Sequence, residues 1–156
     1  MFDLSSQYAL RSMLYLAGLE PGRLVRAQLL AEELSLPGPF LAKILQQLVR
    51  RGLIRSRKGP SGGFALARRP EEISLYEVFS AFQKIRRHEN CVLGEADCTD
   101  ENPCALHGFW NEFRQRFVET LRAMSLADVM AHESRRLAAQ ERRTAAGPTA
   151  AAEQPG

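Results

Sequence analysis

Three cysteines and one histidine lie together in the segment 89–110, ENCVLGEADCTDENPCALHGFW, and they constrain the fold of this chain more than any other feature. Six residues separate Cys91 from Cys98, five separate Cys98 from Cys104, and two separate Cys104 from His107. The segment contains every cysteine of the chain. A short flexible segment loses little entropy in closing on itself, so all four side chains can surround one point. The spacing therefore predicts a site for a metal ion or a metal cluster.

Residue type alone leaves the occupant of this site open. Thiolates suit iron–sulfur clusters and zinc equally well. Structural zinc sites usually contain a close Cys-x-x-Cys pair, which this sequence lacks, so the spacing favours a larger guest. A thiol redox switch and cysteines without a chemical role are the alternatives. His107 is either a ligand or a residue that hydrogen-bonds locally on the first turn of a helix.

Length and composition predict one globular domain without a membrane span. The chain has 156 residues, of which 45% are hydrophobic and 25% charged, and it has no apolar run of about 18 residues. The N-terminal segment carries Asp3, Gln7 and Arg11 at helical intervals instead of the basic start of a signal peptide, which predicts a cytoplasmic location. Paired carboxylates occur only as neighbours that point apart on a helix, as at Glu32 and Glu33, so we expect no enzyme.

Basic and acidic residues are concentrated in different segments of the chain, although the net charge is only +3. Residues 35–70 contain eight Lys or Arg and no Asp or Glu, whereas residues 71–105 contain three basic and eight acidic residues. A concentrated basic segment predicts a polyanionic partner for the first stretch. The acidic stretch predicts a cationic guest, and it contains the cysteines.

The apolar periodicity of the first 82 residues predicts a winged helix-turn-helix domain. It predicts helices over 2–19, capped by Ser5 or Ser6, then from about Val25 to Leu34, Pro39 to Arg51, and Ser74 to Phe82. Residues 53–56 and 64–66 flank a Gly-rich basic tip, which is typical of a β-hairpin. The second and third helices form the helix-turn-helix, and the hairpin forms the wing.

Polar side chains on the outer face of the third helix predict contacts to double-stranded DNA. Gln pairs with adenine and Arg or Lys with guanine or phosphate, while basic wing residues follow the phosphates. The alternative is an ordinary solvated basic face, but a helix-turn-helix, a basic wing and a lack of acidic residues occur together here. The predicted DNA-binding residues are Lys43, Gln46, Gln47, Arg50, Arg55, Arg57 and Lys58.

A long amphipathic helix after the cysteines predicts a homodimer. Its large apolar side chains recur at intervals of three and four over about 18 residues, or roughly 27 Å of helix, which is more than a small winged-helix core covers. A second copy of the same helix is the simplest partner. The predicted interface residues are Phe109, Trp110, Phe113, Phe117 and Leu121.

The predicted fold class is mainly α with a small β-hairpin, formed by a winged helix-turn-helix domain and a long dimerisation helix. The winged domain covers residues 1–84 and the cysteine-rich cluster-binding loop 85–105. The dimerisation helix and a short following helix cover 106–139. The tail 140–156 is rich in Ala, Gly, Pro and charge, which predicts disorder.

Several of these segments together resemble the iron–sulfur winged-helix regulators of the IscR, NsrR and RirA type. The similarity covers about residues 2–137 and is carried by YALRSMLYLA, FLAKILQQLVRRGLIRS, KGPSGGFALAR, SLYEVFSAF and the cysteine loop ending in CALHGFW. It implies a homodimer that binds a roughly palindromic operator and holds one iron–sulfur cluster, [2Fe–2S] or [4Fe–4S], in each subunit. The resemblance assigns Cys91, Cys98 and Cys104 as cluster ligands.

The same resemblance leaves two sources for the fourth ligand. In IscR-like members it is a histidine three residues after the last cysteine, which His107 matches. In NsrR-like members it is an acidic residue early in the partner's first helix, where this chain has Gln7, a poor iron ligand, with Asp3 nearby. The expected function is a transcriptional regulator, most simply a repressor, whose cluster senses redox state, nitric oxide or iron. The alternatives are zinc, a thiol/disulfide switch, or a cluster-handling adaptor that does not bind DNA.

Overall fold

The structure is a computed structural model that describes residues 3–82 and 91–145. Within these residues the chain forms six α-helices and one two-stranded hairpin, as the sequence predicts. The elements are α1 (Leu4–Ala17), α2 (Ala27–Leu34), α3 (Gly38–Arg50), β1 (Ile54–Arg57), β2 (Gly63–Leu66), a 3₁₀ turn (Pro70–Glu72), α4 (Leu75–Ser80), α5 (His107–Ala123) and α6 (Leu126–Ala145). No helix among the described residues is long and apolar enough to cross a membrane.

The first helix is capped by Asp3 and not by the predicted serines. Oδ1 of Asp3 accepts a hydrogen bond from the backbone N–H of Ser6 at 2.7 Å. Ser6 therefore lies in the first turn, where its side chain is buried. Ala9 and Met13 of the same helix are fully buried, and they place α1 at the centre of the core.

The helix-turn-helix is formed by α2 and α3. Ser35 ends α2 in the left-handed conformation, with φ of 53°, and the next backbone N–H, that of Leu36, donates to the carbonyl of Ala31 at 2.9 Å. This closure is the usual hydrogen-bonded end of a helix and turns the chain sharply. The inner face of α3 contributes Leu41, Leu45 and Leu48, which have no exposed surface. Burial of this face leaves the opposite face of α3 toward solvent.

The wing is an antiparallel hairpin in which Ile54 pairs with Leu66 and Arg57 with Gly63. Val25 adds a third strand-like bridge to Phe64, so the wing is attached to the residues before α2. Gly63 has φ of 151°, and a Cβ atom there would lie 2.6 Å from the carbonyl oxygen of Val25. The wing sequence thus requires glycine where it meets the helix-turn-helix.

The corner between α5 and α6 is attached to the segment before α4. Ser74 and Ser125 form an isolated antiparallel bridge. The backbone N–H of Leu75 donates to the carbonyl of Met124 at 2.9 Å, and that of Leu126 donates to the carbonyl of Ile73 at 2.9 Å. Two backbone hydrogen bonds therefore join the helix that follows the cysteine loop to the winged domain.

The ends of α4 and α6, like those of α1 and α2, differ from the sequence predictions. The helix α4 ends at Ser80, and Ala81 and Phe82 form a turn. The helix α6 continues to Ala145, beyond the short helix and into the tail predicted to be disordered from residue 140. Residues 138–145 contain Ala, Gln, Glu and Arg, which favour helix, and the first Gly and Pro come later. The start of the predicted cysteine loop, 85–90, and the tail 146–156 lie outside the described residues.

Candidate metal centre and nucleic-acid interface

The three cysteine sulfur atoms converge on one point. All three Sγ atoms lie within 4.8 Å of one another, and those of Cys91 and Cys104 are 3.4 Å apart. The three thiols are free and half-buried. This arrangement has the ligand type and closeness of a metal or cluster site.

Local backbone turns bring the cysteines together. Gly94 has φ of 78°, and its N–H donates to the carbonyl of Cys91 at 3.0 Å. Near Cys98, the hydroxyl of Thr99 accepts from the N–H of Asn102 at 3.1 Å. The N–H of His107 donates to the carbonyl of Cys104 at 3.1 Å, which leads directly into α5. These local hydrogen bonds shape the backbone beside each cysteine and lead the loop into α5.

His107 lies at the N-terminal end of α5. One of its ring nitrogens faces a cysteine sulfur atom, and the other faces Asp100. Nδ1 is 3.0 Å from Sγ of Cys98, and Nε2 is 2.8 Å from Oδ1 of Asp100. A carboxylate only accepts hydrogen bonds, so Nε2 donates to Asp100 in the tautomer that carries its proton on Nε2. In a neutral imidazole this leaves the lone pair of Nδ1 toward the sulfur atoms, which is the orientation that a carboxylate gives to a metal-binding histidine.

The thiol and imidazole groups of this site perturb one another. The hydrogen bond of Cys98 with the backbone N–H of Cys104, and then the one it shares with His107, lower the pKa of Cys98 to about 7. The N–H of Leu106 lowers the pKa of Cys104, but the bond with Cys91 and partial burial outweigh it, so the pKa of Cys104 is raised. Asp100, and then Cys98, raise the pKa of His107. The lowered pKa favours the thiolate of Cys98, which is the form that ligates metals.

Three residues of this site were not predicted from the sequence: Asp100, Asn111 and Arg114. The Nδ2 atom of Asn111 lies 2.9 Å from Nε2 of His107 and 3.5 Å from Oδ1 of Asp100. The Nη2 atom of Arg114 donates to Oδ1 of Asn111 at 2.8 Å, and its guanidinium carbon lies 5.6 Å from the ring centroid of Trp110. Asn111 and Arg114 follow His107 by four and seven residues, a helical spacing that places all three on one face.

These groups line one cavity together with the cysteines. It has a volume of about 270 Å³ and is lined by Cys91, Val92, Cys98, Thr99, Asp100, Cys104, His107, Trp110, Asn111 and Arg114. Among the described residues, Nε of Arg114 is a buried donor without a hydrogen-bond partner. Trp110, predicted as a dimer contact, thus also lies against the site.

The predicted DNA-binding residues lie on two exposed surfaces, with one exception. Six of them are exposed, namely Lys43, Gln46 and Arg50 on α3, and Arg55, Arg57 and Lys58 on β1 and the wing tip. Gln47 is half-buried, and its side-chain amide donates to the carbonyl of Ala81 at 3.0 Å. Adjacent residues of a helix point in different directions, so Gln47 does not share the exposed face of Gln46. Its hydrogen bond instead joins α3 to the end of α4.

The tip of the wing is anchored on both sides. Arg26 donates a hydrogen bond to the carbonyl of Pro60, and Nη2 of Arg57 donates to the hydroxyl of Ser61 at 3.1 Å. A Cβ atom on Gly62 would clash with the carbonyl oxygen of Arg57. The basic wing is thus a shaped hairpin whose strand β1 packs against α3.

The predicted dimer residues differ in exposure. Phe109 is 68% exposed and Phe113 is 46% exposed, and their rings stack with centroids 6.3 Å apart. Phe117 is partly buried against the core, and Leu121, only 5% exposed, belongs to the core of the single chain. The N-terminal half of α5 therefore carries the exposed aromatic surface, and Leu121 packs in the core of the chain.

Comparison with known proteins identifies the family. The profile of the Rrf2 family, described as "Iron-dependent Transcriptional regulator", matches residues 3–132. A protein of Aquifex aeolicus assigned as an HTH-type transcriptional regulator is 33% identical over 139 residues, which cover 88% of this chain and 96% of the relative. The HTH-type transcriptional regulator NsrR of Shouchella clausii is 30% identical over 129 residues, covering 82% and 87% of the two chains.

A solved structure agrees with this assignment at the level of the fold. CymR, the global cysteine regulator of B. subtilis, superposes with a TM-score of 0.71 at 20% identity, over 85% of this chain and 97% of CymR. The resemblance inferred from the wing and cysteine segments is therefore confirmed, as is the winged-helix fold. The chain belongs to the Rrf2 family of DNA-binding transcriptional regulators.

Proposed function

We propose that this protein is a homodimeric repressor whose binding to a roughly palindromic operator is controlled by an iron–sulfur cluster, one per subunit. The observation that carries the proposal is the convergence of the Cys91, Cys98 and Cys104 sulfur atoms within 4.8 Å of one another, next to Nδ1 of His107. The description of the family as iron-dependent supports the choice of metal. A cytoplasmic location, where the regulator meets DNA, is part of the same proposal.

His107 is the fourth ligand in this proposal. Its Nδ1 lies 3.0 Å from the Cys98 sulfur, while Asp100 holds the opposite nitrogen at 2.8 Å. The main rival, an acidic side chain from the partner's first helix, receives less support. Asp3 uses its carboxylate to cap α1, and Gln7 has a neutral amide that binds iron poorly.

The residues of the site fit a cluster better than a single zinc ion. A tetrahedral zinc ion takes four ligands at about 2.0–2.3 Å and is satisfied by them alone. Here a cavity of about 270 Å³ adjoins the sulfur atoms, and the buried Nε of Arg114 lacks an acceptor among the described residues. A cluster would supply sulfide acceptors and an anionic charge, both of which suit that donor.

The backbone connects the cysteine site to the winged domain that carries the predicted DNA-binding residues. The helix α5 starts at His107, so ligation by His107 orients its first turn. The end of α5 is joined to the winged domain by the Ser74–Ser125 bridge. A change at the ligands would shift α5 relative to α3 in each subunit. The distance between the two α3 helices of the dimer would then change. Control of this kind requires that the two cluster states differ in operator affinity.

Anaerobic isolation tests the cofactor directly. The expected product is a brown protein with iron and acid-labile sulfide, and Cys98→Ala should be colourless. Glu95→Gln, which changes an exposed acidic residue of the same loop, is the matched control and should stay brown. A colourless wild-type protein that contains zinc would contradict the proposal and support the zinc alternative.

A thiol switch is the second candidate, because one distance favours it. Sγ of Cys91 and Sγ of Cys104 are 3.4 Å apart. That is about 1.4 Å longer than a disulfide bond, so a small movement of the two side chains would allow one to form. Oxidation by a peroxide would join the two sulfur atoms and release two protons and two electrons to the oxidant. Mass spectrometry after aerobic and anaerobic isolation distinguishes the candidates: a mass lower by about two hydrogens in the apo protein indicates the disulfide.

A further inference from the structure

Arg114 is the last residue along α5 that lines the cysteine cavity. It lines the cavity of the three cysteines, although it lies seven residues after His107. Asn111 accepts a hydrogen bond from its Nη2 at 2.8 Å, and the Trp110 ring lies beside its guanidinium group, 5.6 Å from centroid to Cζ. These two contacts hold the side chain along the helix, against the site.

The Nε–H of Arg114 is the unexplained group of this cavity. It is buried and has no partner among the described residues. A buried donor without an acceptor is unfavourable, and in native proteins such a donor commonly marks the place of a bound ion or ligand. Its place on the lining of the cysteine cavity points to a ligand held by the cysteines.

The charge of Arg114 adds a second, independent argument. Of the residues that line the cavity, Arg114 is the one Lys or Arg, and Asp100 is a carboxylate. An iron–sulfur cluster held by three thiolates and a neutral imidazole would carry a net negative charge after its iron ions are counted. The acidic residues of the loop add to the negative charge around it. A guanidinium group keeps its positive charge at all relevant pH values and donates in fixed directions.

We propose that Arg114 is an outer-sphere residue of the iron–sulfur cluster, which supplies one N–H donor and one positive charge without ligating iron. Through Asn111 and Asp100 it also positions the imidazole of His107. The inference rests on the cluster ligation proposed above. Hydrogen bonds to sulfur and local charge are two of the terms that set the reduction potential of a cluster. Arg114 therefore raises that potential and protects the cluster against loss.

The test compares full-length, anaerobically purified proteins with the cluster in place. The variants are Arg114→Ala, Arg114→Lys and Arg116→Ala. Arg116 is the matched control, because it removes the same charge from the same helix at a side chain that is 77% exposed and paired with Glu112. Circular dichroism of each protein checks that the helices are retained.

The first readout is the midpoint potential for one-electron reduction at an electrode. The added electron makes the cluster more negative, so loss of the nearby cation should shift the potential of Arg114→Ala to more negative values. Arg114→Lys should lie between Arg114→Ala and wild type, and Arg116→Ala should match wild type. The second readout is bleaching by an iron chelator, which should be fastest in Arg114→Ala.

The outcomes separate this inference from the proposed function. A brown Arg114→Ala protein with the potential and bleaching rate of Arg116→Ala overturns the role of Arg114 and leaves cluster binding intact. Failure of Arg114→Ala to hold a cluster, with its helices retained and Arg116→Ala brown, supports the role. A wild-type protein without iron and sulfide overturns the proposed function and this inference with it. If Arg114→Ala does not fold, Arg114→Lys decides by the same two readouts.

Discussion

Ser74 and Ser125 lie opposite each other in an antiparallel bridge, and each caps the helix that follows it. The hydroxyl of Ser74 accepts from the N–H of Glu77 at 3.3 Å, and that of Ser125 accepts from the N–H of Asp128 at 3.1 Å. In return, Glu77 and Asp128 accept from the serine N–H groups at 2.9 and 2.8 Å. Two reciprocal caps thus meet where the winged domain joins the helices after the cysteine loop.

The first prediction concerns the cap of α6. Ser125→Ala removes a hydroxyl that both accepts from the N–H of Asp128 and donates to its carboxylate at 2.7 Å. Loss of an N-cap costs about 0.5–2 kcal/mol, so the free energy of unfolding in urea should fall by about that amount. Ser134→Ala, also on α6 but exposed, is the control and should change it little. Equal effects of the two changes would contradict a capping role.

The second prediction is a pH dependence that arises at Glu77. Partial burial raises the pKa of Glu77, but hydrogen bonds from Ser74 and Arg68 outweigh it and hold the pKa below its usual 4.5. A carboxyl with a lowered pKa in the folded state stabilises the fold above the unfolded value, and this contribution is lost as pH falls through the folded value.

Urea unfolding of wild type and Glu77→Gln tests this relationship. The difference in unfolding free energy should be largest at pH 7 and should shrink as the pH falls below 4.5. Glu71→Gln is the control, because Glu71 is exposed and lies outside the cap. A difference between Glu77→Gln and wild type that stays constant from pH 7 to pH 3 (roughly the range of carboxyl titration) would refute the role of the carboxylate.

The third prediction separates two adjacent glutamines of α3. Gln46 is exposed, so Gln46→Ala should relax the base preference in a selection from random DNA and leave stability nearly unchanged. Gln47 bonds to the carbonyl of Ala81, so Gln47→Ala should lower the unfolding free energy by about 0.5–1.5 kcal/mol. Its base preference should stay that of wild type. The reverse pattern would show that Gln47 and not Gln46 faces the bases.

The fourth prediction concerns the wing. Lys58 is exposed at its tip, where a cation contacts phosphate without reading sequence. Lys58→Ala should weaken binding to all duplexes alike and reduce the slope of log K against log salt by about 0.9. Arg135→Ala, on the exposed side of α6, is the control and should keep the wild-type slope. An unchanged slope in Lys58→Ala would remove Lys58 from the DNA interface.

Local sequence patterns predicted most of the fold. Apolar spacing placed α1 to α3 within a few residues, and the Gly-rich tip from Gly59 to Gly63 predicted the wing because few other residues adopt its conformations. The length of α6 was underestimated, since an Ala-rich helix without an apolar stripe looks like a polar tail. The cap at Asp3 was missed because two serines nearby serve as caps equally well.

Only the part of the candidate site that lies within one short sequence segment could be predicted. Cys91, Cys98, Cys104 and His107 lie within 17 residues, so their spacing alone indicated the site. Asp100 was hidden among other acidic residues of the loop. Asn111 and Arg114 look like ordinary polar residues of α5. The sequence signal that could have found them is their spacing of four and seven residues from His107, which places all three on one face of the helix. The contact of Gln47 with Ala81 is long-range, and no local pattern encodes it.

If the cluster controls operator binding, the same protein should bind the operator with different affinity when it holds the cluster and when it does not. A duplex selected from random DNA is titrated anaerobically with the protein as isolated, and again after the cluster has been removed. Cys98→Ala should match the cluster-free protein, and Glu95→Gln should match the protein as isolated. We expect the two states to differ in affinity by about 5- to 150-fold. Equal affinity of the two states for the operator would contradict it.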